Sequence, residues 1–84
     1  ILAYYNRGLA YLKQGKSAQA IPDFNKVIEI NPKDPEAYRN RAIAYHGIKE
    51  YNKAWEDVHK AEGLGYTVSP KFLNILKEES GRDK

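Results

Sequence analysis

Large apolar and small side chains recur along this chain at the spacing of one face of an α-helix. Positions at i, i+3, i+4 and i+7 form two such sets in the first half: Tyr4, Arg7, Gly8 and Tyr11, then Ala20, Phe24, Val27 and Ile28. Turn and capping residues divide the pattern, which predicts α-helices at residues 1–14, 17–30, 35–48, 51–62 and 70–80 and a disordered tail at 81–84. The predicted fold class is therefore all-α.

The predicted helix ends carry residue types that start and stop helices. Ser17 can cap the second helix, while Asp34 and Ser69 each stand before a proline, as an N-cap does before proline at the first helical position. Two glycines follow the fourth helix, and either Gly63 or Gly65 can adopt the left-handed C-cap conformation.

The sequence also repeats itself. A shift of 34 residues gives nine identities, which pair Ala3, Tyr4, Asn6, Arg7, Ala10, Tyr11, Ala20, Asp23 and Lys26 with Ala37, Tyr38, Asn40, Arg41, Ala44, Tyr45, Ala54, Asp57 and Lys60. A period of this length is typical of stacked supersecondary units, here of two helices each. The period divides the chain into a first repeat at 1–34, a second at 35–68, a capping helix at 69–80 and the tail at 81–84.

The first unit resembles the tetratricopeptide repeat in its order of aromatic, small and proline positions: Tyr4, Gly8, Tyr11, Ala20, Phe24, Val27 and Pro32. The second unit resembles it through Tyr38, Ala42, Tyr45, Ala54 and Ala61, but has Val58 in place of an aromatic residue and Tyr66 in place of proline. The resemblance implies a right-handed solenoid of antiparallel helix hairpins, about five helices in all. Small residues lie where paired helices come closest in such hairpins, so Tyr4, Tyr11 and Phe24 are expected to fill the core around Gly8 and Ala20.

The first helix of each unit carries further residues on the face opposite to that core set. In stacked repeats of this family the face lines a concave groove, which implies a peptide-binding site made of Tyr5, Asn6, Leu9, Leu12, Lys13, Arg39, Asn40, Ile43 and His46. The apolar members would receive apolar side chains of a partner, and the polar members would hold its backbone or an acidic group. Alternatively, Tyr5, Leu9 and Leu12 pack against an upstream repeat or the neighbouring helix.

One subtype of the family binds the C-terminal carboxylate of heat-shock chaperones through lysine, asparagine and arginine side chains. This chain does not resemble that subtype. Tyr5 and Leu9 stand where the clamp has Lys and Asn, Pro70 and Asn74 replace its Lys and Arg, and Asn40 alone matches. A different ligand is implied.

Composition excludes several other classes of protein. The 84 residues are 42% hydrophobic and 30% charged, which is globular rather than disordered, and they include no apolar run long enough to span a bilayer. The sequence has no Cys, and hence no disulfide, thiolate zinc site or cysteine nucleophile. We expect a soluble segment without membrane insertion, with the cytoplasm favoured as its compartment.

Catalytic and cofactor chemistry has no candidate arrangement in this sequence. His46 and His59 lack metal-ligand spacing, the glycines form no phosphate-binding loop, and acidic residues such as Asp23 and Asp57 are expected on solvated helix faces. Trp55 is expected to pack between repeats. The chain is therefore predicted to be non-enzymatic, with no metal and no cofactor.

Two alternatives to peptide binding remain open. Basic residues stand near tyrosines, as in proteins that bind single-stranded nucleic acid, but the net charge of +3 includes no dense basic stripe. The chain could instead be the C-terminal end of a longer array that self-associates through Ile1, Leu2 and Leu9. The favoured prediction is an interaction module or scaffold for a protein partner.

Overall fold

A computed structural model describes residues 2–84 as five α-helices and no β-strand. They are α1 (Leu2–Lys13), α2 (Ser17–Ile30), α3 (Pro35–Gly47), α4 (Tyr51–Gly63) and α5 (Pro70–Ser80). The all-α prediction is confirmed, and the predicted helix bounds agree to within one residue wherever they fall among the described residues. The predicted start at Ile1 lies outside them.

Consecutive helices pack against one another, and α1 also touches α3. The short loops between helices make each neighbouring pair antiparallel. As a result α1 and α3 lie side by side, with α2 packed against both. The molecule measures 34 × 27 × 18 Å, and its shortest dimension corresponds to two layers of helices.

Three helices end in the same hydrogen-bonded motif. In α1 the backbone N–H of Lys16 donates to the carbonyl of Tyr11 at 2.8 Å, and Gly15, at φ +75°, supplies the left-handed residue of a Schellman cap. The equivalent bond closes α4, where the backbone N–H of Tyr66 donates to the carbonyl of Ala61 at 3.1 Å. Here Gly65 rather than Gly63 is the left-handed residue, at φ +93°. At the end of α3 the left-handed residue is Lys49, at φ +64°, although glycine suits that conformation better.

The predicted helix starts are only partly correct. Asp34 caps α3, since its side chain accepts the backbone N–H of Glu36 at 3.1 Å. Ser69 is the N-cap residue of α5, but its side chain makes no capping bond. The prediction for Ser17 is wrong: Lys16 occupies the N-cap position of α2, and the Ser17 side chain packs where a Cβ on Gly47 would clash.

The first hairpin is organised around a close approach of α1 and α2. A Cβ built on Gly8 would lie 2.8 Å from the Phe24 ring, and Ala20 is fully buried. The expected pairing of small and aromatic residues is therefore present at this contact. Phe24, Ala20 and Ala44 form one core cluster, onto which half-buried side chains of α1 pack.

Tyr4 contradicts the expectation that it fills this core, because 36% of the residue is exposed. Its counterpart Tyr38 is 7% exposed and donates a hydrogen bond to the Pro32 carbonyl. The physical reason for the difference is the neighbouring helix. Ile28 of α2 packs against the cluster that contains Tyr38, whereas among residues 2–84 no helix precedes α1 to cover Tyr4 in the same way.

The second core cluster joins α3, α4 and α5. Its buried members are Tyr38, Ala42, Ala54, Trp55, Val58, Ala61, Val68 and Leu76. Trp55 is 2% exposed, and its indole N–H donates to the Ser80 hydroxyl of α5 at 3.0 Å. Trp55 is therefore a packing residue, as expected, but its hydrogen bond is to the capping helix rather than to the other repeat. Beyond α5 the tail is not helical, but Arg82 donates to Asn52 at 2.7 Å and lies over the Trp55 ring.

Two ion pairs recur at equivalent places in the two hairpins. The Arg7 guanidinium donates to Asp23 at 2.6 Å, and that of Arg41 donates to Asp57 at 2.7 Å. The expectation that Asp23 and Asp57 lie on solvated faces is wrong, since they are 2% and 4% exposed. A signal for the pairs was present, because all four residues are among the identities at the 34-residue shift. Pairing with arginine across each hairpin offsets part of the cost of burying the carboxylates.

Candidate functional site

The predicted groove residues lie on α1 and α3, but they differ in accessibility. Asn6 and Lys13 are exposed, and Asn40 is buried. The remaining six are half-buried: Tyr5, Leu9, Leu12, Arg39, Ile43 and His46. The surface is thus a mixed one, with partly covered apolar side chains and polar residues beside them.

A hydrogen bond joins the two helices of this surface. The Asn40 side-chain amide of α3 donates to the Tyr5 hydroxyl of α1 at 3.0 Å, and the Tyr5 ring meets Phe24 edge-on, with centroids 6.2 Å apart. Because the Tyr5 oxygen accepts this bond, its own proton is directed elsewhere and can serve a second acceptor. No sequence pattern predicts the contact, since its partners are 35 residues apart.

Asn40 has a different position from the one predicted for it. It is 1% exposed, so a ligand reaches its amide only if Tyr5 moves away. Its equivalent in the first unit, Asn6, is exposed. The burial arises because α1 covers α3 at this position, and Asn40 supports the orientation of Tyr5.

Leu9 and Leu12 combine the two roles considered for them. Their inner sides pack onto the cluster of Ala20, Phe24 and Ala44, which corresponds to the packing alternative. Each leucine nevertheless keeps part of its surface accessible. Packing therefore fixes their positions without removing them from the surface.

An open cleft of about 200 Å³ lies at one end of this surface. Its lining consists of Leu2, Tyr5, Val27, Asp34 and Glu36. Burial raises the pKa of the Tyr5 hydroxyl, and the Glu36 carboxylate beside it raises that pKa further. No sequence pattern predicts the cleft, because Asp34 has the pattern of a helix cap and Val27 has that of a core residue.

The opposite end of α3 contacts α5. The His46 ring lies 3.1 Å from a carboxylate oxygen of Glu79 and meets the Phe72 ring edge-on. The Tyr51 hydroxyl donates to the same Glu79 oxygen at 3.4 Å. Half-buried His46 is thus a contact between helices as well as a surface residue.

Arg39 lies between the middle of the groove and the loop that follows α4. Its guanidinium is 5.8 Å from the centre of the Tyr66 ring and 4.0 Å from the Glu36 carboxylate. The Nε atom is buried and has no hydrogen-bond partner within the described residues. Arg7 and Arg41 are two of the basic residues that stand near tyrosines in the sequence, and both are paired with buried carboxylates, so their charges are largely neutralised.

Comparison with known proteins gives the family of this chain. Family models described as tetratricopeptide repeat match residues 1–34 and residues 24–56. The chain belongs to the tetratricopeptide repeat family. This tetratricopeptide repeat chain is a protein–protein interaction module, a class whose members are typically non-enzymatic.

Several curated proteins are similar over most of the chain. Sperm-associated antigen 1A of Danio rerio is 35% identical over 86 aligned positions, which cover 95% of this chain and 20% of that protein. Protein SGT1 homolog of Oryza sativa subsp. japonica is 32% identical over 89% of the chain and 20% of its own length. Hsp70-Hsp90 organising protein of Plasmodium falciparum (isolate 3D7) is 39% identical over 84% of the chain and 13% of its own length. The chain thus spans a fifth or less of these relatives. No solved structure gives a significant match to it.

Within residues 2–84, no three His, Cys, Asp or Glu side chains come together as a metal site would require. None of the five helices is long and apolar enough to cross a bilayer.

Proposed function

We propose that the face formed by α1 and α3 binds a segment of a partner protein. The residues in this role are those of the predicted groove, with Asn40 as a supporting residue. The partner chain runs along the surface between the two helices. We also propose that 1–34 and 35–68 are the repeat units of the module and that 69–80 closes it.

The observation that carries the proposal is that apolar side chains on this face pack against the core on one side and remain accessible on the other. Tyr5, Leu9 and Leu12 are fixed from behind by the first core cluster, and Ile43 is half-buried on the adjacent helix. Side chains already held in place lose little conformational entropy when a ligand covers them. A surface of this kind favours binding over exposure to water.

Tyr5, Leu9, Leu12 and Ile43 form an apolar strip, and polar groups around it would orient a bound partner segment. The Tyr5 proton is free to donate to a backbone carbonyl of the partner, because the Tyr5 oxygen accepts from Asn40. Asn6 and Lys13 are exposed at the side of α1, within reach of a bound chain. Such sparse hydrogen bonding around an apolar centre is usual in peptide recognition.

The name of the Plasmodium relative refers to Hsp70 and Hsp90. We do not extend that partner to this chain as a carboxylate ligand. Asn40, which alone matches the carboxylate clamp, is 1% exposed beneath the Tyr5 hydroxyl, and Tyr5 and Leu9 replace two of the clamp positions. The expected partner segment is apolar at its centre rather than a terminal carboxylate.

The test uses peptides selected from a random display library on the 84-residue chain, with affinities measured by calorimetry. Replacing Tyr5 and Leu9 together by alanine should weaken the selected peptides by about tenfold or more, because each truncation removes accessible apolar contact. The matched control is Tyr4→Ala, which removes the same aromatic side chain from the neighbouring position and should change affinity less than about twofold. Circular dichroism checks that helicity is kept.

Unchanged affinity in the double variant would assign Tyr5 and Leu9 to packing alone. Equal losses in the double variant and in Tyr4→Ala would point to general destabilisation, and would likewise contradict the proposal. A loss confined to the double variant supports it.

A second candidate function is self-association. Leu2, Tyr4 and Ile30 are 67%, 36% and 53% exposed, and the antiparallel hairpin places the start of α1 and the end of α2 together. Light scattering over a concentration series, at low and high salt, tests it. Dimers that persist in high salt would support an apolar assembly surface, and a monomer throughout would exclude one.

A further inference from the structure

We propose that the cleft between the first turns of α1 and α3 takes a basic side chain, lysine or arginine, of the bound partner segment. The inference rests on the proposed function, since it assigns a residue class to one end of the same groove. It begins from the lining of the cleft, where apolar walls meet two carboxylates.

The walls suit the aliphatic part of a long side chain. Leu2 and Tyr5 come from α1, and Val27 contributes from α2. Lysine and arginine bury their methylene stems against apolar surfaces of this kind while the charged group stays near water. The Tyr5 ring adds an aromatic face on which a cation is stabilised.

The rim determines the sign of the preferred charge. Asp34 and Glu36 bring two carboxylates to a volume on the scale of one side chain. Glu36 pairs with Arg39, whose guanidinium is 4.0 Å away, the longest of the ion pairs within residues 2–84. Arg39 also lies over the Tyr66 ring, so its charge is shared with a second contact. Glu36 is therefore incompletely balanced by Arg39, and Asp34 forms no ion pair within residues 2–84, although one of its oxygens accepts the Glu36 backbone N–H.

The neighbouring hydroxyl reports the same imbalance. The pKa of Tyr5 is raised first by burial and then by Glu36, with Asp34 adding to the increase, while Asn40 and Arg39 oppose it. The contributions of the two carboxylates to this rise would also disfavour a ligand carboxylate and favour a cation, whereas burial disfavours a charge of either sign. The cleft thus selects the charge opposite to that of a terminal carboxylate.

The test titrates the isotope-labelled chain with four capped amino acids and follows backbone amide shifts by NMR. The basic probes are Nα-acetyl-lysine amide and Nα-acetyl-arginine amide, whose side chains keep their charge. The comparison probes are Nα-acetyl-norleucine amide and Nα-acetyl-glutamate amide. We expect the basic probes to shift the amides of Leu2, Tyr5, Val27 and Glu36, with affinity falling as salt is added because the pair is partly exposed. The norleucine and glutamate probes should bind at least about threefold more weakly.

Glu36→Gln should weaken the basic probes by about fivefold, as expected for one half-exposed ion pair. Asp34→Asn should weaken them too, and asparagine preserves a good N-cap for α3. The matched control is Glu50→Gln, which makes the same charge change in an exposed residue beyond the other end of α3 and should leave the shifts as they are.

Equal binding of norleucine, the absence of shifts around the cleft, or equal effects of Glu36→Gln and Glu50→Gln would each overturn the proposal. The groove proposal fails separately. If the selected peptides lose affinity on replacement of Leu9 and the basic probes do not bind, the groove proposal is supported and the cleft proposal is contradicted. If the basic probes bind and replacement of Leu9 does not affect the selected peptides, the cleft proposal is supported and the groove proposal is contradicted.

Discussion

At the scale of single residues, the backbone conformation of Lys49 stands out. It occupies the position equivalent to Gly15, 34 residues earlier, and both are left-handed in a Schellman cap. A residue with a Cβ pays about 1–2 kcal/mol to adopt the left-handed backbone conformation. Glycine avoids this strain, but it loses more conformational entropy on folding, so a change to glycine regains only part of that free energy. The first repeat thus meets the requirement of this turn with glycine, and the second with a strained lysine.

We predict that Lys49→Gly raises the free energy of unfolding by about 0.5–1 kcal/mol. The control is Gly15→Ala, which introduces the same strain in the first hairpin and should lower stability by about 1 kcal/mol. Urea unfolding followed by circular dichroism measures both. A destabilised Lys49→Gly protein would show that the lysine side chain has a structural role that outweighs its backbone strain.

The contact between Gly8 and Phe24 gives a second prediction at this scale. Gly8→Ala should destabilise by about 1–3 kcal/mol, because a Cβ would lie 2.8 Å from the Phe24 ring. Gly63→Ala is the control, since a Cβ there meets nothing within 4 Å and alanine favours the helix. Thermal unfolding compares the two. Equal stability of the two variants would contradict the close approach of α1 and α2 at Gly8.

At the scale of helices, the recurring ion pairs connect the two helices of each hairpin. Burial raises the pKa of the Asp57 carboxyl, and the Arg41 guanidinium offsets this only in part. Arg41 also donates to Asn25 of α2 at 2.9 Å, so it reaches three helices at once. Because burial is the largest effect on the pKa of Asp57, we expect this contact to specify geometry more than it adds stability.

We predict that Arg41→Leu alone costs about 3–5 kcal/mol, because it leaves Asp57 buried without a partner. Arg41→Leu combined with Asp57→Val should recover most of that loss. Chemical unfolding of the two single variants and the double variant gives the coupling energy. Additive losses would contradict the pairing argument.

The raised pKa of Asp57 also predicts a pH dependence. The folded protein holds this proton more tightly than the unfolded chain, whose aspartate titrates near 3.8. The stability that Asp57 contributes is therefore complete below that value and is lost as the pH rises through the folded pKa. Relative to Asp57→Asn, the unmodified protein should gain stability as the pH falls from 7 toward 4. A constant difference over this range would contradict the assignment.

The helix bounds were predictable because their signals are local. Prolines after Asp34 and Ser69 and the glycine-containing turns act within a few residues of the helix ends, and they gave bounds correct to one residue among the described residues. The errors concern contacts between helices. Tyr4 follows the pattern of a core residue, yet it is exposed because no helix precedes α1 within residues 2–84. The Tyr5–Asn40 bond depends on the lateral placement of α1 against α3, which periodicity does not specify.

At the scale of the whole molecule, α5 closes the second core. Leu76 is fully buried, and Trp55 beneath α5 is held by the Ser80 hydroxyl. We predict that Leu76→Ala costs about 2–5 kcal/mol and shifts Trp55 emission to longer wavelength as α5 loosens. Lys77→Ala, at the adjacent exposed position, is the control and should change neither quantity. An unchanged spectrum in Leu76→Ala would mean that α5 does not protect the indole.

The proposed groove is a property of the assembled molecule, since α1, α2 and α3 must be in place before its apolar strip is fixed. The candidate residues could be placed on one face from the sequence, because helical spacing determines the face. Their accessibility could not, because Asn40 and Leu9 are covered by side chains distant in sequence. The cleft is a further consequence of this assembly, since its lining comes from α1, α2 and the start of α3.

The most direct test of the central claim is to map, by amide chemical shifts, where a display-selected peptide binds on the labelled chain. Binding along the face of α1 and α3 predicts the largest changes at Tyr5, Leu9, Leu12 and Ile43. Changes concentrated on the exposed residues of α2 and α4, such as Glu29 and Lys60, with the four groove amides unaffected, would contradict it.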